Sequence, residues 1–237
     1  GSYPLNITLD KNESYVGLLD LGGSNPDGNR DGLLGAKVTS NYPIVVNTGS
    51  TSGTNANSVG GRDFGIDQIV DTDFADLEYI FVRGAGNDDW ENVMIVPTQP
   101  NTTITINGNK TVTISGAYYE IDGSDYINGN MFVRSDKPVV AYQSIGGEIG
   151  RSPNQGMFYV PPLSCSSRGN VDNIPAINEI GSTTLGSDIW RGALAIVARV
   201  SATVEINDGS VPLPPGTPVS GNTDYITYLI NSINGDY

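Results

Sequence analysis

The chain has no histidine and a single cysteine, and its 12 basic residues are outnumbered by 26 acidic ones. Each shortage removes a class of function. Without histidine, neither a Ser-His-Asp triad nor a Cys–His pair can be assembled. No zinc spacing, nucleophile elbow of the Gly-x-Ser-x-Gly kind or phosphate-binding glycine loop is present either. With Cys165 alone there is no internal disulfide, and between Ser164 and Ser166 the thiol reads as a small buried hydrophobe. A net charge of −14 leaves little to neutralise a phosphate backbone, which argues against nucleic acid and anionic membrane surfaces. No apolar run reaches the roughly 18 residues that span a bilayer, and no signal peptide is visible. Gly1-Ser2 reads as the scar of a protease cut, so a signal or anchor is expected outside this piece of a larger multidomain chain.

What the chain does have is turn formers and repetition. Its 237 residues include 30 glycines and 14 prolines, which suit many short strands joined by tight turns, and no helix-period apolar stripe of useful length occurs. The segment Thr102-Thr103-Ile104-Thr105-Ile106-Asn107 lies over Ala202-Thr203-Val204-Glu205-Ile206-Asn207 without a gap. An apolar run precedes each copy (Val93 to Val96, Leu194 to Val197), and a tyrosine-centred strand follows each (Ala117 to Asp122, Thr223 to Ile230). A second motif relates Gly32 to Ser50 with Gly129 to Gly146. Duplicated strand sets are how a repeat-built β protein is written, whereas catalytic constellations seldom come in pairs. The expectation is an all-β fold of antiparallel, sandwich-like units with an internal pseudo-repeat, a small β-propeller being the alternative. The module would span 3–237, with related halves at about 61–150 and 151–237. Short strands are expected at Ile7 to Leu9, Ser14 to Leu19, Gly35 to Ser40, Met131 to Arg134 and Val139 to Gln143, and a hairpin at Asn107-Gly108.

Several of these segments carry a family likeness. Asp67-Gln68-Ile69-Val70, Glu78-Tyr79-Ile80, the hairpin Asn101 to Gly108 and Ser135-Asp136-Lys137-Pro138-Val139-Val140 occur in that order and spacing. Together they resemble the amino-terminal domain of the IgGFc-binding protein family, from about Ser14 to about Ile206. The resemblance implies a module of a large secreted surface protein, many of which are adhesins of gliding or surface-attached bacteria. It therefore also implies an extracellular, cell-surface location. The chain departs from the animal members in lacking their cysteines and in its insertion at Gly22 to Gly32.

Three acidic segments are candidates for chemistry. Asp27, Asn29 and Asp31 place side-chain oxygens at positions 1, 3 and 5 of a calcium loop, Gly32 permits the bend at 6, and the Leu33 carbonyl would serve at 7. Position 12 is Val38 where a bidentate acid is needed, so Asp20 or an acid from another loop would complete a Ca²⁺ shell. The same residues are also turn formers. Asp88, Asp89 and Glu91 surround Trp90, an arrangement suited to stacking on a sugar while acids take its hydroxyls. The plainer reading has Trp90 capping the core. Asp122 and Asp125 near Tyr118, Tyr119 and Tyr126 could serve a glycosidase, but no apolar pocket that would raise one carboxyl is evident. Four Asn-x-Ser/Thr triplets begin at Asn6, Asn12, Asn101 and Asn109. They mark glycosylation only in a eukaryotic secretory route.

The functional expectation is a non-catalytic adhesin module that offers loops to a glycan or a host or surface protein, with calcium ordering one loop. A calcium-stiffened spacer in a long stalk is the alternative, and an extracellular glycoside hydrolase the distant one.

Overall fold

The computed structural model describes residues 5–18, 33, 35–53, 63–145, 156–164, 193–206, 209 and 212–231. The chain divides into two compact units, Gly1–Thr39 and Ser40–Tyr237, and both expected halves fall inside the second. In the first unit the described residues form neither strand nor helix. The short strands expected at Ile7 to Leu9 and Gly35 to Ser40 are not formed, nor is the described part of the one at Ser14 to Leu19. Leu5, Ile7, Leu9, Val16 and Leu18 are exposed, so among the described residues their apolar pattern finds no strand to cover it.

The second unit is all-β and antiparallel. Its strands are β1 (Asn47–Gly53), β2 (Asp63–Gln68), β3 (Asp76–Val82), β4 (Val93–Pro97), β5 (Thr102–Ile106), β6 (Lys110–Ile114), β7 (Tyr119–Ile121), β8 (Asn130–Ile145), β9 (Gly156–Val160), β10 (Ala193–Arg199), β11 (Thr217–Pro218) and β12 (Tyr225–Asn231). Seven of them, β3 to β9, join one sheet, while β1 with β2 and β10 with β12 and β11 form smaller ones. A seven-stranded sheet is not the four-stranded blade of a propeller.

The organiser is β8. The two expected strands Met131 to Arg134 and Val139 to Gln143 are one continuous strand, which exchanges partners midway. Val133 pairs with Tyr79 of β3 and Ile106 of β5, whereas Ala141 pairs with Ile95 of β4 and Val160 of β9. The exchange falls on Ser135 to Pro138. Opposite it, β3 passes from Glu78, paired with Arg134, to Asp76, paired with Val139, so β8 bulges there. Pro138 has no N–H to give and sits where the ladder is broken anyway. The Asp136 carboxylate accepts the Thr103 N–H at 2.7 Å, and the Lys137 ammonium donates to the Pro100 and Asn101 carbonyls at 2.8 and 2.9 Å. The Ser-Asp-Lys-Pro motif is thus the clasp that ties the β4–β5 connection to the centre of the sheet.

Alternation assigns the two faces. Tyr79, Phe81, Met131 and Val133 point into the main core with Val93, Ile95, Ile104, Ile106 and Ile121. Burial of each such side chain is worth about 1.5–3 kcal/mol. Ile80 and Phe132, on the other face, pack with Val219 and against Val197 and Tyr225 of the small sheet. Asn130, fully buried, crosses between the sheets by donating to Thr227 Oγ1 at 2.9 Å. The Asn107-Gly108 hairpin also meets the small-sheet region. Gly108 has φ +75° and an added Cβ there would lie 3.0 Å from Gly221 Cα, while one on Gly221 would lie 2.5 Å from Asn107 C.

Part of the repeat is visible in the pairing. β10 lies antiparallel to β12 as β4 does to β7. The Gly209 N–H bonds the Ile206 carbonyl at 3.1 Å, as the Asn109 N–H bonds Ile106. Residues 202–206, the counterpart of β5, are not a strand, and no described strand lies beside them in the place that β8 takes next to β5. The second motif differs similarly: its later copy lies in β8, while the described residues of its earlier one are irregular before Asn47.

Candidate functional site

The loop from Arg83 to Asn92 joins β3 to β4, and the sequence crowds acids and an indole into it. Two glycines let the backbone fold back on itself, and the 3₁₀ turn Asp88–Trp90 brings it round to β4. Glu91 is fully buried. Its carboxylate accepts the Gly84 N–H at 2.9 Å and the Gly86 N–H at 2.8 Å. A Cβ on Gly84 would stand 2.9 Å from Glu91 Oε1 and 2.9 Å from Ile145 Cγ2, so only glycine fits there without a shift. The sequence set Glu91 beside Trp90 among acids suited to take a sugar's hydroxyls. It is instead the internal fastener of the loop, because backbone amides supply the donors that water would otherwise provide.

Arg83 fastens the outer side. Its guanidinium donates to the Gly86 carbonyl at 3.0 Å and the Gly123 carbonyl at 3.3 Å, and pairs with Asp88 at 2.7 Å. The second contact ties the loop to the neighbouring 3₁₀ turn Gly123–Asp125. The two turns touch backbone to backbone, since a Cβ on Gly123 would lie 2.5 Å from the Asp88 carbonyl oxygen. Beneath them Tyr126 is buried, and burial pushes its phenol well above the usual tyrosine range, with the Glu91 charge adding to the rise and Arg83 opposing it. Asn92 closes the loop by donating to the Asp89 carbonyl at 3.1 Å and to Glu120 at 2.8 Å.

The four residues singled out in this loop therefore separate. Glu91 is inside, and Asp88 is half exposed but paired with Arg83. Asp89 and Trp90 are half-buried, with the indole Nε1 shielded from solvent and without a hydrogen-bond partner among the described residues. Asp122 and Asp125 each hold structure: Asp122 caps its 3₁₀ turn by accepting the Ser124 N–H at 2.8 Å, and Asp125 pairs with Lys110 at 2.6 Å. That bond to Asp125 raises the Lys110 pKa, favouring its charged form. Asp27, Asn29 and Asp31 lie outside the described residues, and Leu33, the fourth ligand of the expected calcium loop, is exposed. Among the described residues no three acids, cysteines or histidines gather closely enough to hold a metal ion. Arg83 was missed in the sequence; the available signal was an arginine directly preceding the glycines of an acid-rich loop.

The chain matches the family model of the IgGFc binding protein over residues 1–235. Comparison with curated proteins and with solved structures yields no match. Among the described residues no helix is long and apolar enough to cross a membrane.

Proposed function

Because the chain belongs to the IgGFc binding protein family, we propose that it is a non-catalytic binding module of a secreted or cell-surface adhesin, engaging a protein or glycan ligand. The observation that carries this reading is the fastened loop Arg83–Asn92. Glu91 from inside and Arg83 from outside hold a backbone that would otherwise be mobile. A loop ordered before it meets a ligand loses less conformational entropy on binding. In this reading Ca²⁺, held by Asp27, Asn29, Asp31 and the Leu33 carbonyl, orders the Gly22–Gly32 insertion in the same way. An ion at a hundredfold excess over its Kd would add about 2.7 kcal/mol to stability.

A spacer role is the second reading, favoured by the half-buried Trp90 and the wholly internal Glu91. The test that separates them is a glycan and protein array probed with the chain and with Trp90→Ala, with and without calcium. Lost binding with an unchanged melting temperature supports the adhesin module. A lowered melting temperature, with no ligand found for the parent chain, supports the spacer.

A further inference from the structure

We infer that this chain carries both halves of a head-to-tail joint: residues 40–46 of one molecule pair, as a strand, with β10 and residues 202–206 of a second copy. The joint goes beyond the ligand-binding reading and uses no residue of the Arg83–Asn92 loop.

The donor half is a second β8. Ser40-Asn41-Tyr42-Pro43-Ile44-Val45-Val46 lies without a gap over Ser135-Asp136-Lys137-Pro138-Val139-Val140-Ala141, the middle of β8. The likeness continues in the pairing that follows. β1 turns back on β2 with Asn47 opposite Gln68, as the end of β8 turns back on β9 with Tyr142 opposite Tyr159. The Ile69 N–H reaches the Val46 carbonyl at 2.9 Å, where Val160 is paired with Ala141 in the other ladder. Before Val46 the resemblance stops. Val139 and Val140 are buried at 0% and 7% exposure, whereas their counterparts Ile44 and Val45 stand 51% and 71% exposed and form no strand. A continuous run such as Ile44-Val45-Val46 suits a strand covered on both faces. Here it is bare.

The acceptor half is a strand set without its β8. β4 lies between β7 and β8, whereas its counterpart β10 has β12 on one edge and no described strand on the other. Ile104 of β5 is fully buried beside β8, but its counterpart Val204 is half-buried and outside any strand. A strand edge with unpaired amides and carbonyls is a template for another strand. The register of β8 fixes how the segment enters. Val46 falls opposite Ile196 as Ala141 is opposite Ile95, and Ser40 opposite Val204 as Ser135 is opposite Ile104.

A second copy is the occupant because the chain holds the matching strand and the open edge at once, each still uncovered among the described residues. Donor and acceptor are different surfaces, so the contact is heterologous and propagates into open rows of molecules. From Ala36 to Thr48 the only charge is that of Lys37, so the donor brings no acid into the joint. The net charge of −14 on each molecule opposes approach from a distance, and salt screens it. Pairing should therefore tighten as salt rises.

The test is sedimentation of the whole chain over a range of concentrations, in low and high salt. The expected result is concentration-dependent growth beyond the monomer, stronger in high salt. Ile44→Asp removes the donor side and should weaken association roughly tenfold or more. It should leave the melting temperature of the dilute chain unchanged, because Ile44 is exposed there. Val204→Asp removes the acceptor side. Neither variant should grow alone, yet an equal mixture should form one-to-one pairs and stop, since each keeps the half that the other lost. If Val204→Asp fails to fold, a synthetic peptide of residues 36–48 provides the second readout. It should cap the parent chain and reverse its growth, and a scrambled peptide should not. A chain that stays monomeric at every concentration and salt would overturn the joint, whether the amides of residues 40–46 exchange freely or are protected by closure within one molecule. Growth that Ile44→Asp and the peptide both leave intact would overturn it equally.

Discussion

Two stretches of this chain set acids beside aromatic rings, and they use them in opposite ways. In the Arg83–Asn92 loop the acids are turned to internal donors: Glu91 to two backbone amides, Asp88 to a guanidinium. Along Asp63–Glu78 the acids have little cationic company. Asp71 caps a 3₁₀ turn through the Asp73 N–H at 2.9 Å, and among the described residues Asp67 keeps an oxygen without a donor and Glu78 alone has a basic partner, Arg134 at 3.4 Å. Both stretches look alike as composition. What separates them is the source of the donors, and that depends on where the glycines and the arginine fall. An acid that follows a Gly-x-Gly turn and an arginine can be satisfied locally, whereas acids on a strand and a 3₁₀ turn of the sheet's rim stay available.

The comparison breaks most readily at Glu91. Glu91→Ala strands two amide donors in a dry interior and should lower stability by about 2–5 kcal/mol. That corresponds to a melting temperature roughly 10 °C lower by circular dichroism. A substitution at Asp71, by contrast, should be mild. If both changes melt the chain equally, the two regions are not different in kind. Gly123→Ala attacks the same loop from the neighbouring turn, pressing a methyl against the Asp88 carbonyl oxygen. It should cost about 1–3 kcal/mol in chemical denaturation, and no loss would mean that the turns can part freely.

Alkaline unfolding sharpens the contrast further. Tyr126 has its folded pKa raised above the unfolded value near 10. The stability from its neutral form is therefore complete below about pH 10 and is lost as pH climbs towards the folded pKa. Tyr126→Phe removes that titration, so its denaturation midpoint should fall less steeply above pH 10 than the parent's. Identical slopes would place the alkaline sensitivity in other tyrosines, with Tyr79 also raised by burial. The smallest effect is expected at the half-exposed pair. Asp88→Asn should change stability by only about 0–1 kcal/mol, and less at high salt. A larger loss would make Asp88 as structural as Glu91.

Much of the strand framework was legible because its signals are local. Asn107-Gly108 announces a hairpin, and the two residues take φ of 51° and 75° between β5 and β6. The alternation of Tyr79 to Phe81 and of Thr102 to Ile106 reads directly as faces. The unity of β8 was hidden by Pro138, which ordinarily ends a strand; here the Asp136 and Lys137 side chains within the break compensate for it. Glu91 was illegible for a different reason. Its partners are backbone amides, and every residue but proline offers one. The N-terminal apolar alternation failed as a strand signal because alternation describes a face and cannot supply a neighbour. The pairing of Asn130 with Thr227 joins residues far apart in sequence, and no spacing rule reaches that far.

The continuity of β8 also sets the order in which this molecule can assemble. β3, β4 and β5 are made first, yet each draws its pairing from residues 130–145, some tens of positions later. During synthesis their apolar faces wait, with only the β5–β6 hairpin and the β4–β7 contact available nearby. Contacts so distant in sequence make folding slow and leave the half-made sheet prone to aggregation. A chain cut short before Asn130 would keep only the β5–β6 and β4–β7 pairings of its large sheet. The clasp at Ser135 to Pro138 then acts as a checkpoint: once it reaches Thr103 and Pro100, one late strand converts several waiting ribbons into a single core.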